Sequence, residues 1–384
     1  MTPESTYNKW YNASFEHVQS YVNQRHSGTD YSWLLTTDMP LVPDYFTVRS
    51  IGRSFFQRLL NYSVSNRFHQ FSPSYVVIKR FVTLFYQLPM LSPHQASLHW
   101  LLTHLKDPPH EMMDWTLVEF FWFMVQWSER VDANGFDFSE IKKTANDHVL
   151  SMVKSVLGTN VMGWDFDGLV HAACYANWLD VVVPDYEQRE SSTINALAEI
   201  LHSSSSLTQL REFTSSLRDV TSITYECDNA GEVVLDLLVI MRLIATGRRV
   251  VIVAKYGAVL NDVTLDELGE LIDKEPLFSP IKEAVKRGEC DLISANDFIT
   301  IGKYLPRVSK DYQDAFHRTE LNWLKGQANF QTMPLVNHNP WTIKPQYKNK
   351  IALNFVAKAP IVQYCLRYSS IGKVSIGDPL FLLI

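Results

Sequence analysis

The chain has 384 residues, enough for a large buried core, and two domains are expected. Hydrophobic residues make up 46% and charged residues 20%, with a formal net charge of -6, so no global positive field marks a nucleic-acid binder. The four cysteines, Cys174, Cys227, Cys290 and Cys365, are far apart and form no CxxC, which suits buried thiols in a reducing cytoplasm.

The polar start, Met1 to Trp10, carries no apolar signal segment, and a cytoplasmic protein is expected. Apolar residues then recur at mixed three- and four-residue spacing over Phe55 to Leu60, Val76 to Leu88, Gln95 to Leu105 and Trp115 to Trp127, which predicts helices. Leu91-Ser92-Pro93 and Asp107-Pro108-Pro109 separate them. The densest apolar run, Val118 to Trp127, is too short to span a bilayer and reads as a buried helix. Residues 1–160 are expected to form an all-helical domain. An apolar helix from Leu169 leads to Asn177 and Asp180, and the serine run Ser203 to Ser206 reads as a hinge.

From Ser222 the texture changes. Strands are predicted over Ser222 to Glu226, Arg249 to Ala254, Cys290 to Ser294, Glu320 to Leu324, Ile351 to Val356 and Leu380 to Ile384. A helix from Ala230 to Thr246, closed by Gly247, lies between the first two. Alternating strands and helices predict an α/β fold over 161–384: a three-layer α/β/α arrangement around a mostly parallel, Rossmann-like sheet. Ligands of such sheets bind beyond the carboxyl ends of the strands.

The candidate chemistry lies at those ends. Cys227-Asp228-Asn229-Ala230-Gly231-Glu232 follows the first strand. Asn229 and Glu232 have capping-box spacing, yet the same stretch puts a carboxylate, an amide oxygen and a helix N-terminus at one spot. Asp236, one turn past Glu232, reads either as a supporting acid or as a solvated helix residue. Lys255 ends the second strand and Asn261-Asp262 follow, while Thr264 and Glu267 form a capping box of their own. Asp262 is therefore free to act as a ligand. Asp228, Asn229 and Asp262 offer three hard oxygens suited to magnesium or manganese, with cobalt or nickel also acceptable. Lys325-Gly326-Gln327-Ala328-Asn329-Phe330 places a lysine turn after a further strand, a cradle for phosphate. Asn177, Asp180 and Lys358 are weaker candidates for the same cleft. No GxGxxG, GxxxxGK[ST], HExxH or GxSxG motif is present.

These motifs, in this order, resemble the metal-dependent damage-control phosphatases, the family long called domain of unknown function 89. The resemblance covers residues 165 to 384 well and the helical part loosely. Asn177 to Asp180 is similar to the family's Gly-Asn-x-x-Asp segment, with Ala176 in place of Gly. The chain departs from the family after the third strand, where Ser294-Ala295-Asn296-Asp297-Phe298 and Gly302 replace a Ser- and Gly-rich loop, and at Lys358-Ala359 in place of Lys-Cys. The resemblance implies hydrolysis of phosphate monoesters of small metabolites, with Asp228, Asn229 and Asp262 on a divalent cation. Asp228, Asp262 and Lys325 would carry the catalysis, and Asn177, Asp180, Lys255, Asn329 and Lys358 would line the phosphate site. The expected partner is a small phosphorylated metabolite, with no nucleic acid and no membrane, and the chain admits a homo-oligomer. Two other readings stay open: an S-adenosylmethionine-dependent carboxyl methyltransferase on the same fold, and a non-catalytic metabolite binder.

Overall fold

The structure, a computed structural model, describes residues 3–25, 95–104, 109, 111–112, 115, 117–131, 137–157, 164–180, 186–202, 208–300, 302–332, 348–358, 362, 366 and 373–383. The helices expected over Phe55 to Leu60 and Val76 to Leu88, the serine hinge and Cys365 lie outside them. In chain order the helical part holds α1 (Pro3–Arg25), α2 (Gln95–His104), α3 (Leu117–Val131) and α4 (Ser139–Leu157). Then come α5 (Phe166–Tyr175), a short 3-10 turn over Ala176–Trp178, α6 (Tyr186–His202) and α7 (Thr208–Ser216). The sheet region follows: β1 (Ser222–Glu226), α8 (Glu232–Ala245), β2 (Arg249–Ala254), α9 (Leu265–Lys274), α10 (Ser279–Lys286) and β3 (Cys290–Ser294). It is completed by α11 (Lys310–Arg318), β4 (Leu321–Lys325), α12 (Gln327–Thr332), β5 (Lys350–Val356) and β6 (Pro379–Leu383).

The six strands form one sheet in the order β3-β2-β1-β4-β5-β6. The first five are parallel, and β6 pairs antiparallel with β5. The chain reverses direction across the sheet at β1 and β4, the switch point beyond whose carboxyl ends α/β proteins hold ligands. One sheet face presents Ile223, Tyr225, Val250, Ile252, Trp323 and Ala352 to a core shared with α5, α7, α8 and α10. The other face meets α11 and α12. Helix α8 is buried along most of its length, which explains why its sequence is apolar nearly all round.

A second buried cluster holds the aromatic residues of the helical part: Tyr11, Trp100, Trp115, Trp122, Phe123 and Trp127. The sequence places Trp115 inside a helix; in the structure α3 begins at Leu117 and Trp115 packs just before it. Val259 belongs to this cluster, and Leu260, Phe298, Ile299 and Ala328 pack against it. All five come from loops or helix starts at the carboxyl ends of the strands. The helical part therefore covers the end of the sheet where ligands bind. Tyr304 donates to Glu119 of α3 at 2.9 Å, and the Gly231 amide donates to Asn146 of α4 at 2.6 Å, so the cover is tied down by polar bonds as well. Among the described residues no helix is long and apolar enough to cross a membrane. Cys174, Cys227 and Cys290 are free and buried, and burial pushes the Cys174 and Cys290 thiols up to about 12.

Candidate active site

Asp228 lies two residues past β1, and Asp262 lies in the connection from β2 to α9. Backbone pairing joins the two segments directly. The Val263 amide donates to the Asp228 carbonyl at 2.8 Å, and the Ala230 amide donates to the Asn261 carbonyl at 2.8 Å. Asn229 and Asp262 thereby form an isolated antiparallel bridge. Both aspartates are buried. The Thr264–Glu267 capping box starts α9 as the sequence suggests, and it leaves the Asp262 side chain free of capping duty.

The capping reading of Asn229 fails. Gly231 takes the N-cap of α8 at φ +79° with no side-chain cap, a backbone angle that favours glycine. The Asn229 side chain turns instead to carboxylates. Its Nδ2 donates to Asp228 Oδ2 at 2.9 Å and to Glu232 Oε2 at 3.1 Å. Asn177 Nδ2 makes the same two bonds, each at 2.8 Å, and its Oδ1 accepts from the Val356 amide at 3.4 Å. Two amides thus clamp one oxygen of Asp228 and one of Glu232. Asn177 is expected from sequence to bind phosphate, but with both amide protons engaged it orients Asp228.

Lys325 also departs from expectation. The strand β4 ends one residue later than its sequence suggests, so Lys325 is its last residue, and the side chain is fully buried. Its ammonium donates to the Ala173 carbonyl at 2.9 Å, to Asp236 Oδ1 at 2.8 Å and to Glu232 Oε1. A lysine has three donors, and all three are used. Lys325 therefore does not cradle phosphate; it neutralises Glu232 and Asp236, which reach it from one face of α8. Asp236, read as a solvated or supporting acid, is the supporting one: its Oδ1 also accepts from Tyr225 at 2.7 Å. Burial is the first cause that raises the Asp236 carboxyl to about 7, against the pull of Lys325. Burial lowers the affinity of Lys325 for its proton, yet Asp236 and Glu232 outweigh it and hold the ammonium well above the usual lysine range.

Gly326, next to Lys325, sits at φ +82° against the Asp228 carboxylate. A β-carbon there would lie 1.9 Å from Asp228 Oδ2. The Lys-Gly turn is thus a close backbone approach to Asp228 rather than an open phosphate loop. Asn329 is occupied likewise: its Nδ2 donates to the Lys325 carbonyl at 2.8 Å and its Oδ1 accepts from Lys303 at 2.9 Å.

Two further lysines, Lys255 and Lys358, are each paired with one carboxylate. Lys255 Nζ stands 3.4 Å from Asp262 Oδ2, an ion pair without a good hydrogen bond, since that buried oxygen has no hydrogen-bond partner. The neighbouring Asn261 Oδ1 is a second buried acceptor without one. Lys358 Nζ donates to Asp180 Oδ2 at 2.9 Å. Asp180 is expected to line the phosphate site, but a carboxylate repels phosphate, and here it anchors Lys358. Burial is the main cause that raises Asp228 well above the usual carboxylate range; Asp262 and Glu232 push the same way, against Lys358 and Lys255. Burial also raises Asp262, with Lys255 opposing and Asp180 reinforcing.

Two buried carboxylates, of which Asp262 raises the proton affinity of Asp228 and carries an orphaned oxygen, form a donor set that a divalent cation fits. Asn229, whose amide nitrogen faces the carboxylates, has its Oδ1 to offer as the third oxygen. Among the described residues no three His, Cys, Asp or Glu side chains gather as a metal site. Magnesium-type sites need only one or two carboxylates, because water and substrate oxygens supply the rest.

Sequence reasoning missed Lys303 and Glu226. Lys303 Nζ donates to Glu226 Oε2 at 2.6 Å, and Tyr312 donates to the other Glu226 oxygen. Burial lowers the Lys303 pKa, with Glu226 opposing. A glutamate ending an otherwise buried parallel strand was the available signal, since such a charge needs a buried partner. Glu226, Lys255, Asn296, Phe298 and the exposed Tyr256 line a cleft at the carboxyl ends of β1, β2 and β3.

Known proteins similar to this chain share its sequence pattern and its fold. The chain is 27% identical over 175 residues to the damage-control phosphatase PH1575 of Pyrococcus horikoshii, covering 45% of this chain and 55% of that protein. It is 21% identical over 217 residues to the uncharacterized protein MJ0202 of Methanocaldococcus jannaschii, covering 53% and 64%. The matches therefore span less than two thirds of either relative. The crystal structure of the P. horikoshii protein, a DUF89 family member, superposes with a TM-score of 0.54 at 20% identity, covering 79% of this chain and 94% of that one, which shows the shared fold. A profile of the damage-control phosphatase ARMT1-like domain matches residues 109–367, more than half of the chain and every site residue above, and the chain belongs to that family.

Proposed function

We propose that this protein is a phosphatase that hydrolyses phosphate monoesters of small metabolites, sugar phosphates or damaged phosphometabolites, with a divalent cation held by Asp228, Asn229 and Asp262. The observation that carries the reading is the pair of buried aspartates at the switch point, joined by backbone pairing and bordered by Lys255 and Lys358. A bound cation supplies charge neutralisation at the phosphoryl oxygens. The chain's own groups do the positioning. Asn177 and Asn229 fix the Asp228 carboxylate, Glu232 fixes both amides, and Lys325 fixes Glu232. Lys325 is thus a positioning residue, three hydrogen bonds removed from the Asp228 carboxylate. Lys255 and Lys358 bring ammonium groups to the side where phosphate charge has to be met. The aromatic helical cover keeps bulk water from the site and strengthens each of these interactions. The name of the P. horikoshii relative supports the substrate class.

The test is a phosphate-release screen on a panel of sugar phosphates and other phosphomonoesters. Protein stripped with chelator is assayed alone and with magnesium, manganese, cobalt or nickel. Release that needs the metal and disappears in Asp228→Ala is expected. Absence of release from every ester with every metal, in protein that still binds manganese, contradicts the reading.

A further inference from the structure

The opposite end of the sheet carries a second feature that the phosphatase reading does not use. At the amino-terminal ends of β1 and β2, a cleft of about 470 Å³ opens between α5, α7 and α8. Among the described residues four arginines line it, Arg211, Arg218, Arg242 and Arg248, with the acid Asp167. The chain as a whole has the opposite sign, a net charge of -6. Strand β1 separates it from Asp228, roughly 17 Å at about 3.3 Å per residue.

Two of the guanidinium groups donate to carbonyl or hydroxyl oxygens. Arg242 donates to the Trp164 carbonyl at 2.7 Å. Arg248 donates to the Leu217 carbonyl at 2.7 Å, to the Arg218 carbonyl at 3.4 Å and to Thr246 Oγ1. Such bonds orient a guanidinium without cancelling its charge. The third nitrogen of Arg248, Nε, is buried and has no hydrogen-bond partner. Buried donors in folded proteins are nearly always satisfied, so an orphaned arginine nitrogen beside a charged cleft points to an anionic acceptor. The half-buried ring of Phe166 lines the same cleft, and its size lies in the range of small-molecule pockets.

We propose that this cleft is a second ligand site, distinct from the catalytic one, for a small phosphate-bearing molecule with an aromatic or apolar portion. The phosphate sits among the arginines and the apolar portion lies on Phe166. The overall acidic charge of the chain favours a small ligand over a nucleic-acid strand.

Calorimetry in excess EDTA tests it, with inorganic pyrophosphate and ADP as probes, on the full chain. Arg211 and Arg218 are exposed, so Arg211→Glu/Arg218→Glu keeps the fold while reversing two charges of the cleft. One site per chain is expected for wild type. The double variant should weaken it about tenfold or more, as loss of a charge-assisted hydrogen bond requires. Asp228→Asn should leave it unchanged, and Phe166→Ala should weaken ADP but not pyrophosphate. Four results overturn the proposal: no binding of either probe to wild type, equal binding by the double variant, loss of binding in Asp228→Asn, or displacement of ADP by a single-stranded oligonucleotide at lower concentration. None of these readouts involves turnover, so their failure leaves the phosphatase reading standing.

Discussion

Gly326→Ala tests the packing at the heart of the site. A β-carbon at this position would lie 1.9 Å from Asp228 Oδ2, 2.1 Å from its Cγ and 2.5 Å from its Oδ1. No such contact is tolerable, so either the carboxylate swings away or the turn moves. The backbone contributes a second cost, because φ is +82° and a left-handed residue with a side chain costs about 1–2 kcal/mol. Overpacking adds about 1–3 kcal/mol, giving about 2–5 kcal/mol in all. Gly247→Ala supplies the control. Gly247 has φ +83° and nothing within 4 Å of its virtual β-carbon, so only the backbone cost of about 1–2 kcal/mol applies. Urea unfolding of the two variants therefore isolates the clash by subtraction. A displaced Asp228 also loses its bonds from Asn177 and Asn229, and misplacing a catalytic group by about 1 Å costs about 100-fold in rate. Gly326→Ala should show that loss in manganese-supported phosphate release, while Gly247→Ala should not. If Gly326→Ala is as stable as Gly247→Ala and turns over like wild type, the contact between the turn and Asp228 is wrongly described.

Four further outcomes follow from the site. Lys325→Met removes the common partner of two fully buried carboxylates, and about 3–5 kcal/mol of stability should be lost at neutral pH. The Asp236 carboxyl is raised in the folded state, so its term stabilises below the unfolded value and is lost as pH rises toward and through about 7. Asp236→Asn should therefore flatten the fall of urea midpoints between pH 5 and pH 8, and an unchanged slope counts against it. Asp228 and Asp262 both hold protons more tightly than ordinary carboxylates, and a cation must displace those protons. The rise in melting temperature on adding manganese should be larger at pH 8 than at pH 5, and a pH-independent rise would remove the two carboxyls from the site. Thr264→Ala breaks the capping box of α9 and should cost about 0.5–2 kcal/mol by urea unfolding while metal-supported turnover persists.

Much of this architecture was legible because parallel strands buried on both faces are short apolar runs with hard stops. β1, β2 and β3 run Ser222–Glu226, Arg249–Ala254 and Cys290–Ser294, the bounds their sequences suggest. β4 slipped by one residue because Lys325 reads as a turn until its buried acidic partners are seen. The same blindness explains the misplaced roles at the site. A sequence displays lysine and asparagine as groups offered to ligand; only the fold shows that Lys325, Asn177 and Asn329 spend their donors on Glu232, Asp228 and the Lys325 carbonyl. Glu232 and Asp236 lie four apart on an apolar helix, a spacing that aims both at one point and hinted at a buried cation partner. The reversal of β6 had no such hint, since its five residues fit either direction.

Manganese binding by electron paramagnetic resonance on the wild type and on Asp228→Asn and Asp262→Asn probes the central claim most directly. One ion per chain in the wild type, and none at the same concentration in either single variant, is the result expected when both carboxylates hold one cation. A variant that keeps a full ion at wild-type affinity contradicts it.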